Sequence, residues 1–241
     1  DLAKYPHREG KKKTYAAMVD CMDQGIGSIL NAIDQRGDRD NTFILFFSDN
    51  GGVKRVGDNY PMRGHKLTVY EGGIRVVAAA HWPEGGIEGG KIIQTLMGYI
   101  DVFPTLKTIT GLQELPHKPL DGINVLGLMQ GQAPKEERSW FTYLDQAPLH
   151  RERFAVHRAD MKLVLERDAA DTISQREPLL ALYRLDSLHQ ESQNVASALP
   201  EQMSKLTKEC EDYWAQRSKV QVPRYQDGKG SYQVPKDWII P

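Results

Sequence analysis

Asp49-Asn50-Gly51-Gly52 follows an apolar run, Thr42-Phe43-Ile44-Leu45-Phe46-Phe47-Ser48. Aspartate and asparagine both offer hard oxygen ligands, the kind that calcium and magnesium take in preference to zinc. The same residue types are ordinary turn formers, so on spacing alone a polar strand-to-loop turn competes with a cation site. Lys66 comes next, in Arg63-Gly64-His65-Lys66. Its ammonium can meet an anionic group as a point charge, and a solvated surface lysine is the plainer alternative. Arg63 and His65 flank it as weaker candidates for facing a ligand. His150 and His157 have no spacing that supports a chemical role. Cys21 and Cys210 both fall in helical patterns and read as small packing residues.

The elements that must position these groups follow from periodicity. Tyr15, Met18, Val19, Met22, Ile26, Ile29, Leu30 and Ile33 repeat at helical spacing, which predicts a helix over 12–36 with one buried face and Gly37 as its end. The 42–48 run does not alternate, so it predicts a strand buried on both faces, as in a parallel sheet. A loop over 51–73 leads to a second buried strand at 74–80 and a turn-rich exit at 81–86. Ile100-Asp101-Val102-Phe103-Pro104-Thr105-Leu106 opens another helix, with Pro104 tolerable in its first turn and Gly111 as its end. Past a Pro/Gly-rich stretch at 112–137 the pattern changes. Short strand-like runs at 140–145, 154–157, 162–166 and 180–185 predict an antiparallel meander, and 198–219 a helix. The tail, 220–241, carries three prolines and reads as an extended surface segment.

Composition sets limits. The 241 residues include 31 Lys+Arg against 32 Asp+Glu, so there is no global basic field to draw nucleic acid or an anionic membrane. Two cysteines exclude a disulfide scaffold or a Cys-rich zinc site. No apolar run approaches the roughly 20 residues of a membrane span.

The order of the motifs is more telling than any one of them. Ser48-Asp49-Asn50-Gly51-Gly52, Arg63-Gly64-His65-Lys66 and Tyr70-Glu71-Gly72-Gly73-Ile74-Arg75-Val76 occur in that sequence. Tyr15-Ala16-Ala17-Met18-Val19 precedes them; Ile100 to Leu106, Leu120-Asp121-Gly122, Met161-Lys162-Leu163 and Leu182-Tyr183-Arg184-Leu185 with Glu191 and Asn194 follow. Over about 12–215 the chain resembles the sulfatases of the alkaline phosphatase superfamily. The resemblance implies the C-terminal half of an α/β sandwich with a mostly parallel central sheet between helices, over 1–133. A small α+β domain with an antiparallel sheet and one long helix would then fill 134–241.

The resemblance also implies roles. Asp49 and Asn50 would supply two ligands of a divalent cation, usually calcium, and Lys66 would contact the sulfate. Related phosphatases and phosphonate hydrolases carry Asp-His where this chain has Asp49-Asn50, which favours the calcium sulfatase reading. Glu71 and Arg75 read as structural, a turn with an ion pair. For the loop 53–62, with Lys54, Arg55 and Tyr60, contact with a sugar and a solvated surface are equal alternatives.

The family's nucleophile, a Cys or Ser in Cys/Ser-x-Pro-x-Arg that is oxidised to formylglycine, is not met at Cys21 or Cys210. That motif, the early Asp-Asp metal pair and the other sulfate-binding residues are expected to precede Asp1. The expectation is therefore a sulfuric ester hydrolase fragment, inactive by itself. Its partners would be a sulfated small molecule or glycan and the N-terminal half of the same protein. A catalytically dead binding module and a phosphatase or phosphodiesterase of the same superfamily are the alternatives. Periplasmic, secreted or lysosomal location is what the resemblance implies.

Overall fold

The computed structural model describes residues 2–113, 118–134, 136–146, 151–168, 178–186 and 191–216. His150, named above, lies outside them, as does the tail. The chain divides into two compact units, one built from residues 1–93, 129–132 and 184–193, the other from 94–128, 133–183 and 194–241.

The first unit opens with helix α1, Gly10–Arg36. Gly37 ends it at φ 73°, a left-handed conformation that costs a residue without a Cβ nothing, and its N–H bonds the Asp34 carbonyl at 3.0 Å. The expected buried face is not found on the described residues. Ala17 is the buried residue of α1, whereas Met18, Met22 and Ile29 are 66%, 51% and 63% exposed. Periodicity reports which side a helix would bury, and burial needs a neighbour on that side.

Strands β1, Ile44–Phe47, and β2, Ala78–His81, pair antiparallel, with Ile44 opposite His81 and Phe47 opposite Ala78. This corrects the expectation of parallel neighbours, and the strands are half-buried to exposed rather than covered on both faces. An unbroken apolar run cannot distinguish the two pairings, and antiparallel edges are common on parallel sheets. The second strand also starts later than 74. Glu71–Ile74 instead forms a single helical turn, α2, closed by N–H bonds from Ile74 to the Tyr70 carbonyl and from Arg75 to the Glu71 carbonyl.

The second unit contains α3, Val102–Thr110, ended by Gly111 at φ 64° as the sequence predicts. A short helix, α4, spans Leu126–Met129. Strands β3 (Ser139–Gln146), β4 (Arg151–Arg158), β5 (Met161–Asp168) and β6 (Leu179–Arg184) form a sheet in chain order, with β3, β4 and β5 antiparallel, so the predicted meander is met. Helix α5, Pro200–Ala215, lies on one face of it. Phe154, Val156, Leu163 and Leu182 from the sheet meet Leu206 and Cys210 from α5. Phe141 stacks on Tyr213 at 4.2 Å and Tyr143 meets Trp214 edge-on at 5.3 Å. The alternation of the strands and the period of the helix thus bury one face each. Asn194 ties the connection down, its side-chain oxygen accepting the N–H groups of Leu182 and Ala196, both at 3.0 Å. No helix among the described residues is long and apolar enough to cross a membrane.

Candidate functional site

Asp49 and Asn50 stand just beyond the carboxyl end of β1, Asp49 exposed and Asn50 half-buried. The Asn50 N–H donates to Asp49 Oδ1 at 2.9 Å, and the Ser48 hydroxyl to the Asn50 carbonyl at 3.0 Å. The Asn50 amide nitrogen donates to the Gly51 carbonyl at 3.2 Å, which turns the amide oxygen to the opposite side. Both side chains therefore present oxygen atoms at a strand end.

Gly51 and Gly52 fasten this strand end to the segment that carries Lys66. The Gly51 N–H donates to the Gly73 carbonyl at 2.9 Å, and the Lys66 N–H to the Gly52 carbonyl at 3.0 Å. A Cβ on Gly51 would come within 1.9 Å of the Gly72 carbonyl oxygen, so the approach needs glycine. Lys66 is exposed, and its ammonium has no hydrogen bond or ion pair among the described residues. The loop between is braced by Asn59, which accepts from the Gly52 N–H at 2.8 Å and donates to the carbonyls of Gly52 and Gly64. Sequence reading passed over Asn59, because asparagine before Tyr-Pro looks like any turn residue.

His65 and Arg63 are held differently. The Lys66 carbonyl can only accept, so the contact at 2.7 Å puts a proton on His65 Nδ1. The Thr68 hydroxyl donates to the His65 carbonyl at 2.7 Å and closes the turn. Arg63 donates from Nη1 to the Glu191 carbonyl at 3.0 Å, and its guanidinium lies 4.1 Å over the Tyr70 ring. Glu191 also accepts the Glu71 N–H at 2.7 Å. Glu71 and Glu191 are 3% and 1% exposed, and Arg75 approaches Glu71 at 4.0 Å, the ion pair that the sequence suggests. Glu191 belongs to the ordered motifs, but nothing local announces its partner, 120 residues away.

Lys54, Arg55 and Tyr60 are all exposed on the 53–62 loop. His157 sits in the second unit, its Nε2 bonded to the Ala159 carbonyl at 3.1 Å. Cys21 is exposed; Cys210 is buried, and desolvation raises its thiol to about 11, the opposite of an activated nucleophile. The oxygens of Asp49 and Asn50 suit calcium in kind. They number three of the roughly six to eight that calcium takes. Among the described residues no group of three or more His, Cys, Asp or Glu is placed to hold a metal. The pair therefore fits as part of a shell.

Residues 4–112 match the sulfatase family model. Human arylsulfatase D is 32% identical over 149 residues, covering 58% of this chain and 25% of that protein. Human N-acetylgalactosamine-6-sulfatase is 36% identical over 124 residues, covering 49% of this chain and 24% of that protein. The chain thus spans about a quarter of the length of the curated relatives it matches. Among solved structures, Ps i-CgsB in complex with k-i-k-neocarrahexaose superposes with a TM-score of 0.78 at 22% identity, over 94% of this chain and 48% of that one, a likeness of fold. The sulfatase family model thus matches residues 4–112, and the relatives named here are themselves sulfatases.

Proposed function

We propose that this chain is part of a sulfuric ester hydrolase that removes sulfate from a sulfated sugar or aryl ester. In that reading Asp49 and Asn50 hold part of a calcium site, and Lys66 binds the sulfate and stabilises the negative oxygens as the S–O bond breaks. Calcium, when bound, supplies Lewis-acid polarisation of the sulfuryl group. The observation that carries the reading is the pair of main-chain bonds from Gly51 to Gly73 and from Lys66 to Gly52, which holds the oxygen donors and the unpaired ammonium on one braced segment. Arg63 holds the loop that presents Lys66, and His65 stands beside it with Nδ1–H donating to the Lys66 carbonyl.

A saccharide substrate is supported by the relative named for N-acetylgalactosamine and by the neighbour whose title records a neocarrahexaose complex. The Cys/Ser-x-Pro-x-Arg motif of the formylglycine nucleophile is not met at Cys21 or Cys210, so the 241 residues alone should be inactive. Linearly, residues 1–133 are assigned to the catalytic α/β domain and 134–241 to the smaller C-terminal domain.

The test is hydrolysis of an aryl sulfate and an aryl phosphate by the natural full-length protein, with calcium, with zinc and after chelation. Calcium-dependent sulfate release is expected, lost on chelation, with Lys66→Ala lowering kcat by about 100- to 1,000-fold. Preference for phosphate and zinc would overturn it in favour of a phosphatase.

A further inference from the structure

A cleft of about 790 Å³ opens in the first unit, bordered by His7, Arg8, Glu9, Lys12 and Tyr15 and by Arg55 and Asp58. Its size falls in the range of small-molecule sites, about 300–1,000 Å³. The chain as a whole is nearly neutral, with a net charge of -1, yet three permanent cations from two separate segments border this one cleft. Arg8, Lys12 and Arg55 make no ion pair or side-chain hydrogen bond among the described residues. The rim also carries two carboxylates, Glu9 and Asp58, of which Asp58 accepts the Tyr60 N–H at 3.0 Å. The three cations exceed the two carboxylates by one charge, and that excess attracts an anionic ligand.

The cleft shares its bracing with the candidate site. Arg55 lies at φ 64° in a turn closed by the Gly57 N–H bonding the Val53 carbonyl at 2.8 Å. That turn is anchored through Gly52 and Asn59, and the Gly52 carbonyl also accepts the Lys66 N–H. A ligand that places one anionic group at Lys66 thus has a second set of cations on the same framework. Two guanidinium groups can each take a sulfate through paired N–H donors, and Tyr15 offers a ring against which a sugar face can pack.

We propose that this cleft is a second anion subsite, which takes a further sulfate group of a multiply sulfated oligosaccharide. The proposal rests on the sulfatase reading for the identity of the anion, and its test reads binding rather than turnover. Short dextran sulfate, unsulfated dextran of the same length, polyphosphate and inorganic sulfate are titrated against the protein by calorimetry at physiological salt. Dextran sulfate should bind and dextran should not. Arg8→Ala/Lys12→Ala/Arg55→Ala should weaken dextran sulfate at least tenfold. A charge-matched control, Lys11→Ala/Lys13→Ala/Lys91→Ala, lies outside the cleft lining and should weaken it less than twofold.

Circular dichroism establishes that both triples fold, and single substitutions replace the triple if it does not. Equal loss in both triples would show general charge attraction and overturn the subsite, as would no loss in either. Tighter binding of polyphosphate, or of inorganic sulfate alone at the same strength, would overturn the sulfated-oligosaccharide assignment. A full-length protein that binds dextran sulfate through the cleft yet releases sulfate from no ester would defeat the sulfatase reading and leave the subsite standing.

Discussion

The main-chain N–H of Glu71 donates to the carboxylate of Glu191 at 2.7 Å, a bond between residues 120 apart in sequence and both almost wholly buried. Through it the 191 segment caps the turn that follows Lys66, while the Glu191 carbonyl takes Arg63 from the other side. Glu191→Ala leaves the Glu71 N–H buried without that acceptor, a cost of about 1–3 kcal/mol. Urea unfolding should show the lowered midpoint. Glu191→Gln, which keeps an acceptor oxygen, should lose less, and equal loss in the two variants would mean that the hydrogen bond is not what Glu191 contributes.

Gly72 is required by closeness. A Cβ there would stand 2.5 Å from the Gly64 carbonyl oxygen and 2.6 Å from that of Arg63. Backbone cannot swing away as a flexible side chain can, so Gly72→Ala should destabilise by about 1–3 kcal/mol through overpacking. Amide exchange over 63–73 should rise in the same variant, since the Gly72 N–H bond to the Arg63 carbonyl, 2.6 Å here, lies at the clash. Unchanged exchange would refute this.

Asp101, 1% exposed, is the anchor of the second unit's helix entry. It accepts the Gly98 N–H at 2.9 Å, the Ile123 N–H at 3.0 Å and both terminal nitrogens of Arg138. Removing one partner of a buried pair leaves an uncompensated charge, so Arg138→Ala should cost about 3–5 kcal/mol. Arg138→Lys restores the charge but not the two-pronged geometry and should recover only part of it. Thermal unfolding of the three proteins gives the ranking.

The two thiols should behave oppositely. Cys21 is exposed and should react readily with a disulfide reagent at neutral pH, while Cys210 should react only on unfolding. The buried Cys210 thiol holds its proton up to about 11, against about 9 when unfolded. Between those values the unfolded chain binds fewer protons than the folded one, so stability falls as pH rises from 9 towards 11. Cys210→Ala should flatten that part of the pH profile; an unchanged slope would assign it to other groups, Tyr213 among them, which burial also raises.

The amino-acid sequence by itself determined the elements with strong local signals and the order of the motifs. Helix α1 ends at Gly37 and α3 at Gly111, because a left-handed residue after a helix wants no Cβ. The meander and α5 were legible because alternation and helical period mark one face each. Asp49, Asn50 and Lys66 were legible as candidates because chemistry-bearing residues stood in a recognisable order beside glycines. Only the tertiary structure decided the rest. That β1 and β2 pair antiparallel, that the apolar stripe of α1 is half-buried to exposed, and that Glu71–Ile74 turns as a helix are outcomes of which surfaces meet. Glu191 acts through a hydrogen bond whose partner lies 120 residues away, Asn59 through bonds that cross the loop to Gly52 and Gly64, and Arg8, Lys12 and Arg55 border one cleft only after folding. Local propensity is carried by neighbouring residues, whereas contacts at long separation depend on the chain closing on itself.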